Sequence, residues 1–174
     1  MHSLMQYMDL DSFWSIWFWF AHAVVWSLIS HFPMSVPFDM IIQANRADDE
    51  TAPVSIHCEA MIRAGVFRIV SLFEKHGYLI VGAWCFVLSV LGTLAIWFRV
   101  ELALATMTFF GPITIIYSFV IWSAYRMHNG DLTGPALRNA VKRQRLFAQG
   151  VGLLAIIMSG AIAVTLMLGN LQII

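Results

Sequence analysis

Hydrophobic and polar positions fall along this chain in long blocks rather than at a short period. Four blocks, residues 13–32, 78–98, 102–122 and 147–168, contain no Asp, Glu, Lys or Arg. A helix of about 20 apolar residues spans the hydrocarbon core of a bilayer. One charge at its centre costs roughly 2.5–3.5 kcal/mol. The pattern therefore predicts an all-α integral membrane protein with four transmembrane helices, forming a single membrane domain over residues 1–174. Four buried helices in a soluble fold are excluded, because a chain of 174 residues has nothing left to cover them.

The two segments between these blocks, 33–77 and 123–146, predict short amphipathic helices at the cytoplasmic surface. In the first, Ser35 can cap a helix whose first turn holds Pro37 and Asp39 and which runs to Asn45. That helix turns Phe38, Ile41 and Ile42 to one side. Residues 46–53 form a polar linker, after which Ser55 is expected to cap a second helix reaching His76. Its apolar set, Ile62, Val66, Ile69, Val70 and Phe73, recurs every three or four residues. Glu59 and Arg63 make an i,i+4 pair on the wet side, and the helix is expected to lie on the membrane and turn into the second span at Gly77. Asn-Gly and Gly-Pro signals place a loop at 128–135, followed by a basic helix over 136–146.

Charge adds orientation. Arg46, Arg63, Arg68 and Lys75 lie between spans one and two, and Arg126, Arg138, Lys142, Arg143 and Arg145 between spans three and four. The opposite face holds Arg99 alone, in a link of three residues that makes spans two and three antiparallel neighbours. Nine basic residues against one predict both long segments inside and both termini outside a bacterial cytoplasmic membrane. Trp14, Trp97 and Trp122 sit at span ends, where interfacial aromatics collect. Residues 1–12 hold Asp9 and Asp11 but no Lys or Arg, the reverse of a signal peptide, so the first apolar block is expected to be retained.

Composition sharpens the exclusions. The chain is 60% hydrophobic, 14% aromatic and 11% charged, with a formal net charge of zero. Disorder is ruled out, and no global field draws nucleic acid. Cys58 and Cys85 form neither a CxxC motif nor a disulfide framework.

Candidate chemistry centres on the first span, where Ser15, Trp19, His22, Trp26 and Ser30 line one stripe. An intramembrane histidine is a functional hypothesis by default. His22, with Trp19 and Trp26, can carry protons, ligate haem or hydrogen-bond a quinone. It can equally be a neutral imidazole bonded to Ser or Thr on a neighbouring helix. His31, His76 and His128 all fall at the inner boundary, where a metal or haem site is geometrically conceivable; His57-Cys58 is a further ligand pair. Small-residue stripes for close helix approach occur at Gly152, Ala155, Ser159 and Ala163, and at Gly82, Cys85, Ser89 and Gly92. Gly111-Pro112 predicts a kink, with Thr108 near the freed carbonyl. The cluster Arg138, Lys142, Arg143 and Arg145 either attracts anionic headgroups or simply holds its loop inside. No nucleotide, zinc-protease or hydrolase motif occurs, so no catalytic residue is assigned.

Asp11-Ser12-Phe13 leading into Trp17-Phe18-Trp19, then Val24-Val25-Trp26-Ser27 with Ser30-His31, then Val36-Pro37-Phe38-Asp39-Met40, resemble a bacterial family of small polytopic membrane proteins. That family carries the label of a component of the SufBCD iron–sulfur assembly complex, and the resemblance covers residues 9–46. It implies a membrane accessory to cluster assembly that docks a soluble partner through 38–63 and 126–145. The expected function is a non-catalytic scaffold or accessory subunit, with Phe38, Asp39, Arg63, Arg138, Lys142, Arg143 and Arg145 as partner-binding residues. The alternative is a haem- or quinone-binding membrane protein using the Trp/His stripe. A homo-oligomer is a further expectation.

Overall fold

The computed structural model describes residues 16–31, 36–47, 49–130 and 132–171, apart from the side chains of residues 30, 31, 166, 167 and 169–171. These residues form five helices: α1 (Ile16–His31), α2 (Phe38–Arg46), α3 (Pro53–Ile96), α4 (Glu101–Asn129) and α5 (Gly134–Leu171), with no strand among them. Three, α3, α4 and α5, are long and apolar enough to cross a membrane. The described part of α1 is apolar but only 16 residues long.

Three expectations are corrected. The surface helix predicted to end at His76 is continuous with the second apolar block, giving one helix of 44 residues. Gly77 breaks nothing: its backbone stays helical, and a Cβ there would lie in ordinary contact with the Phe73 ring, at 3.5 Å. A glycine costs about 1 kcal/mol in a helix interior, less than abandoning a turn of backbone hydrogen bonds where water gives way to lipid. Likewise the basic helix over 136–146 runs into the fourth apolar block as one 38-residue helix. Ser55 is not the cap either. α3 opens at Pro53, preorganised for a first turn, and the Ser55 hydroxyl instead donates to the Asp49 carbonyl at 2.8 Å. The predicted cap Ser35 lies outside the described residues.

α3 and α4 form an antiparallel hairpin. Its turn is tight enough to hold Arg99 at φ 51, and the Val100 N–H reaches back to the Leu94 carbonyl at 3.1 Å. Along the hairpin, Trp84 Nε1–H donates to Thr114 Oγ1 at 2.8 Å while Trp84 stacks on Phe110. Helix α4 continues through Pro112. The Thr108 hydroxyl does not serve the freed carbonyl but donates to Ala105 O at 2.7 Å.

Length then fixes where the core must sit. At 1.5 Å per residue α3 is about 66 Å long, roughly twice the ~30 Å hydrocarbon core. Its polar N-terminal half therefore stands clear of the lipid, and the other helices follow it. The main buried cluster, Val36, Ile41, Ala44, Cys58, Ile62, Val66, Val70, Ala124, Met127, Leu137 and Val141, draws on α2, the N-terminal half of α3, the end of α4 and the start of α5. Every one of these residues belongs to the two polar inter-span segments. Those segments fold onto each other as one helical head with its own apolar centre. In contrast, none of the most apolar stretch of α3 is buried inside the chain, against 11% for α4 and 28% for α5.

Candidate functional site

Two places concentrate buried polar chemistry, and the first is the head. Leu137, Val141, Gln144 and Ala148 define the buried stripe of α5, and Arg138 shares it at 4% exposure. A guanidinium there needs partners, and the linker before α3 supplies them. Arg138 Nη2 and Nη1 donate to the two Glu50 carboxylate oxygens at 2.6 and 3.1 Å, and Nε donates to Asn45 Oδ1 at 3.0 Å. The Glu50 hydrogen bonds raise the Arg138 pKa, against the opposing effect of burial. This fork joins the end of α2 and the α2–α3 linker to the second turn of α5.

A second clasp lies one step along. Glu59 Oε1 accepts from Arg63 at 2.8 and 3.0 Å, while Oε2 accepts the Gly134 N–H at 3.0 Å. Arg63 Nη2 also donates to the Leu132 carbonyl at 3.1 Å. The pair expected on the wet side of a surface helix thus bolts the α4–α5 turn to α3. Gly134 is required here. Its φ is +50, and a Cβ would lie 3.0 Å from Glu50 Oε2. The Arg63 hydrogen bond, helped by the Gly134 N–H, holds the Glu59 carboxyl below the ordinary glutamate value of 4.5. A depressed carboxylate contributes stability above its unfolded pKa and loses it as pH falls through the folded one. The stability difference between the protein and Glu59→Gln should therefore be constant above about pH 5 and shrink on acidification below the usual carboxylate range near 4.3. Denaturation midpoints against pH check this, and a difference that grew on acidification would refute it.

The remaining partner-binding candidates are distributed around the head. Asp39 and Arg143 are exposed and Lys142 half-buried. The Arg145 guanidinium lies 3.5 Å from the centroid of the Phe38 ring, and its buried Nε has no hydrogen-bond partner among the described residues. Arg126 sits over Trp122 at 5.5 Å. Arg138 alone is drawn wholly inside.

The second place is the α1–α5 contact. Trp19 is half-buried, while His22 and Trp26 are 1% and 6% exposed. They pack on the small-residue stripe of α5: Trp26 lies on Gly152, and His22 Nε2 is 3.2 Å from Ser159 Oγ. That hydroxyl donates to Ala155 O at 2.8 Å. The Ser159 hydroxyl thus lies between the Ala155 carbonyl and the imidazole, tying the ring to the backbone of α5. His22 Nδ1 and Trp26 Nε1 have no partner among the described residues. The ring is closely walled by Phe109 at 3.9 Å and Phe18 at 4.6 Å between centroids. Ser15 and the side chain of Ser30, the two ends of the predicted stripe, lie outside the described residues.

His76 and His128 are exposed, and the His31 side chain is not described. His57 is exposed while its neighbour Cys58 is fully buried, where loss of solvation raises its thiol pKa. Among the described residues no group of three or more His, Cys, Asp or Glu side chains is placed to hold a metal.

Glu50, Asn45 and Gly134 escaped sequence reasoning. One signal for them was present: Arg138 falls at helical spacing with Val141 and Ala148, so a buried face had to supply it with an acid. No protein-family model, curated protein or solved structure matches this chain, so its own geometry carries the functional reading.

Proposed function

We propose that the protein is a non-catalytic membrane scaffold that presents its helical head in the bacterial cytoplasm as a docking platform for a soluble partner. In this reading α1 completes a fourth span, and both termini face outside, following the basic residues of the two inter-span segments. The observation that supports it is where the chain spends its specific contacts. The head has a closed apolar core and two polar clasps joining segments up to 88 residues apart, whereas little of the most apolar stretch of α3, α4 or α5 is buried inside the chain. A rigid, basic, water-facing unit on a lipid anchor suits recognition rather than turnover. Asp39, Arg63, Lys142, Arg143 and Arg145 would meet the partner, while Arg138 holds the platform in shape. The resemblance over residues 9–46 makes iron–sulfur assembly proteins the first partners to test.

The haem- or quinone-binding alternative rests on His22, whose Nε2 is already engaged by Ser159 inside a tight aromatic wall. Affinity purification of the full chain in mild detergent, with mass spectrometry and an absorption spectrum, separates the two. The scaffold reading expects a soluble protein to co-purify, to be lost in Lys142→Glu/Arg143→Glu, and to remain in His22→Phe. Purification without a soluble partner but with a chromophore that disappears in His22→Phe would sink it.

A further inference from the structure

One face of α3 is left largely uncovered by the rest of the chain, with only Ser71 and Gly92 on it partly buried. Ile56, Ala60, Ala64, Phe67, Ser71, Tyr78, Gly82, Cys85, Ser89 and Gly92 recur every three or four residues, apart from one wider step at the membrane boundary, on a side turned away from Ile62, Val66 and Trp84. Phe67 is 65% and Tyr78 76% exposed. Inside the bilayer, lipid covers such a face at no cost. Outside it, lipid cannot reach Ile56, Ala60, Ala64 and Phe67, and an apolar stripe is left in water. The glycines add an independent observation. A Cβ on Gly82 or Gly92 would meet nothing within 4 Å. Each lowers helix stability by about 1 kcal/mol relative to alanine, and nothing within the chain uses the space.

We infer that this face is the contact between two copies of the protein, packed α3 against α3 about a two-fold axis along the membrane normal. The stripe dictates the occupant. It runs in one register from water into the bilayer, so its partner must be a helix that crosses the membrane and extends equally far on the same side. The same helix of a second copy has that length and that orientation. The small residues let the two backbones approach closely within the lipid, while Phe67 and its symmetry mate cover each other outside it. At the boundary Glu74 and Lys75 are exposed and form no ion pair among the described residues, and a two-fold axis sets each opposite its complement. Arg63 does not oppose the contact, being turned to Glu59 and the Leu132 carbonyl. Helices meeting along most of α3 engage on the order of 20 residues a side, the size class of roughly 800 Å² per partner for a stable interface.

Cys85 makes this directly testable, since it is exposed on the stripe while Cys58 is buried. Copper–phenanthroline oxidation of the full chain in its membranes should give a reducible dimer, absent in Cys85→Ser and retained in Cys58→Ala. Its mass in lipid nanodiscs should be that of two chains. Gly82→Leu with Gly92→Leu replaces residues that touch nothing inside the chain and should weaken the dimer about tenfold or more. A one-chain mass, a dimer indifferent to the leucine pair, or Cys85 cross-linked to a different protein would each overturn the inference. None of these readouts depends on the docking partner of the head.

Discussion

Glu50→Ala should destabilise the head more than Arg138→Met, although the two residues form one ion pair. The asymmetry comes from burial: the Arg138 side chain is 4% exposed and that of Glu50 51%. Removing Glu50 strands a guanidinium in the apolar centre with only Asn45 to satisfy it. Removing Arg138 merely returns a carboxylate to water. Breaking a fully buried pair costs about 3–5 kcal/mol, and solvent at the Glu50 side reduces this to about 2–4 kcal/mol for Glu50→Ala. Arg138→Met, which keeps the volume and needs no partner, should cost less than about 1.5 kcal/mol. The double variant should match Arg138→Met rather than the sum of the two, because its only uncompensated charge has gone. Hydrogen exchange or proteolytic susceptibility of residues 36–71 measures the order, and an equal loss for both single variants would show that Arg138 is not sheltered.

Gly152→Leu should detach α1 from the rest of the molecule. A Cβ on Gly152 would stand 3.2 Å from the Trp26 ring, so even alanine must move the indole, and leucine takes its place. Overpacking of this kind costs about 1–3 kcal/mol for alanine. Trp26→Ala creates the converse defect, a cavity costing about 3–5 kcal/mol. Combined, the large-to-small and small-to-large changes face each other and should be markedly less harmful than their sum. Energy transfer between a label on α1 and one on α5, in detergent, reads the separation. Strict additivity would mean that Trp26 does not rest on Gly152.

These two sites mark how far the residues alone could be read. The apolar blocks behind α3, α4 and α5 were plain, because absence of charge over 20 residues has one physical meaning. Ser159 as a partner for His22 was legible in kind, since an imidazole in lipid must find a hydroxyl or an equivalent. The pairing of Glu50 with Arg138 was not, because the two lie 88 positions apart and the chain carries no record of which acid folds beneath which base. Nor was the continuity of α3. Gly77 at the edge of an apolar block reads as a joint, and only the unbroken backbone ladder shows that the helix passes through it.

That missing joint has a mechanical consequence. A helix with no hinge at the membrane surface acts as a lever, and a tilt of about 5° along some 66 Å of rod moves its far end by roughly 6 Å. The Glu59 clasp grips the head end of this rod, and the taut Arg99 turn closes the other. Whatever seizes the head therefore also moves the turn at the far end of the hairpin, without any conformational change in between.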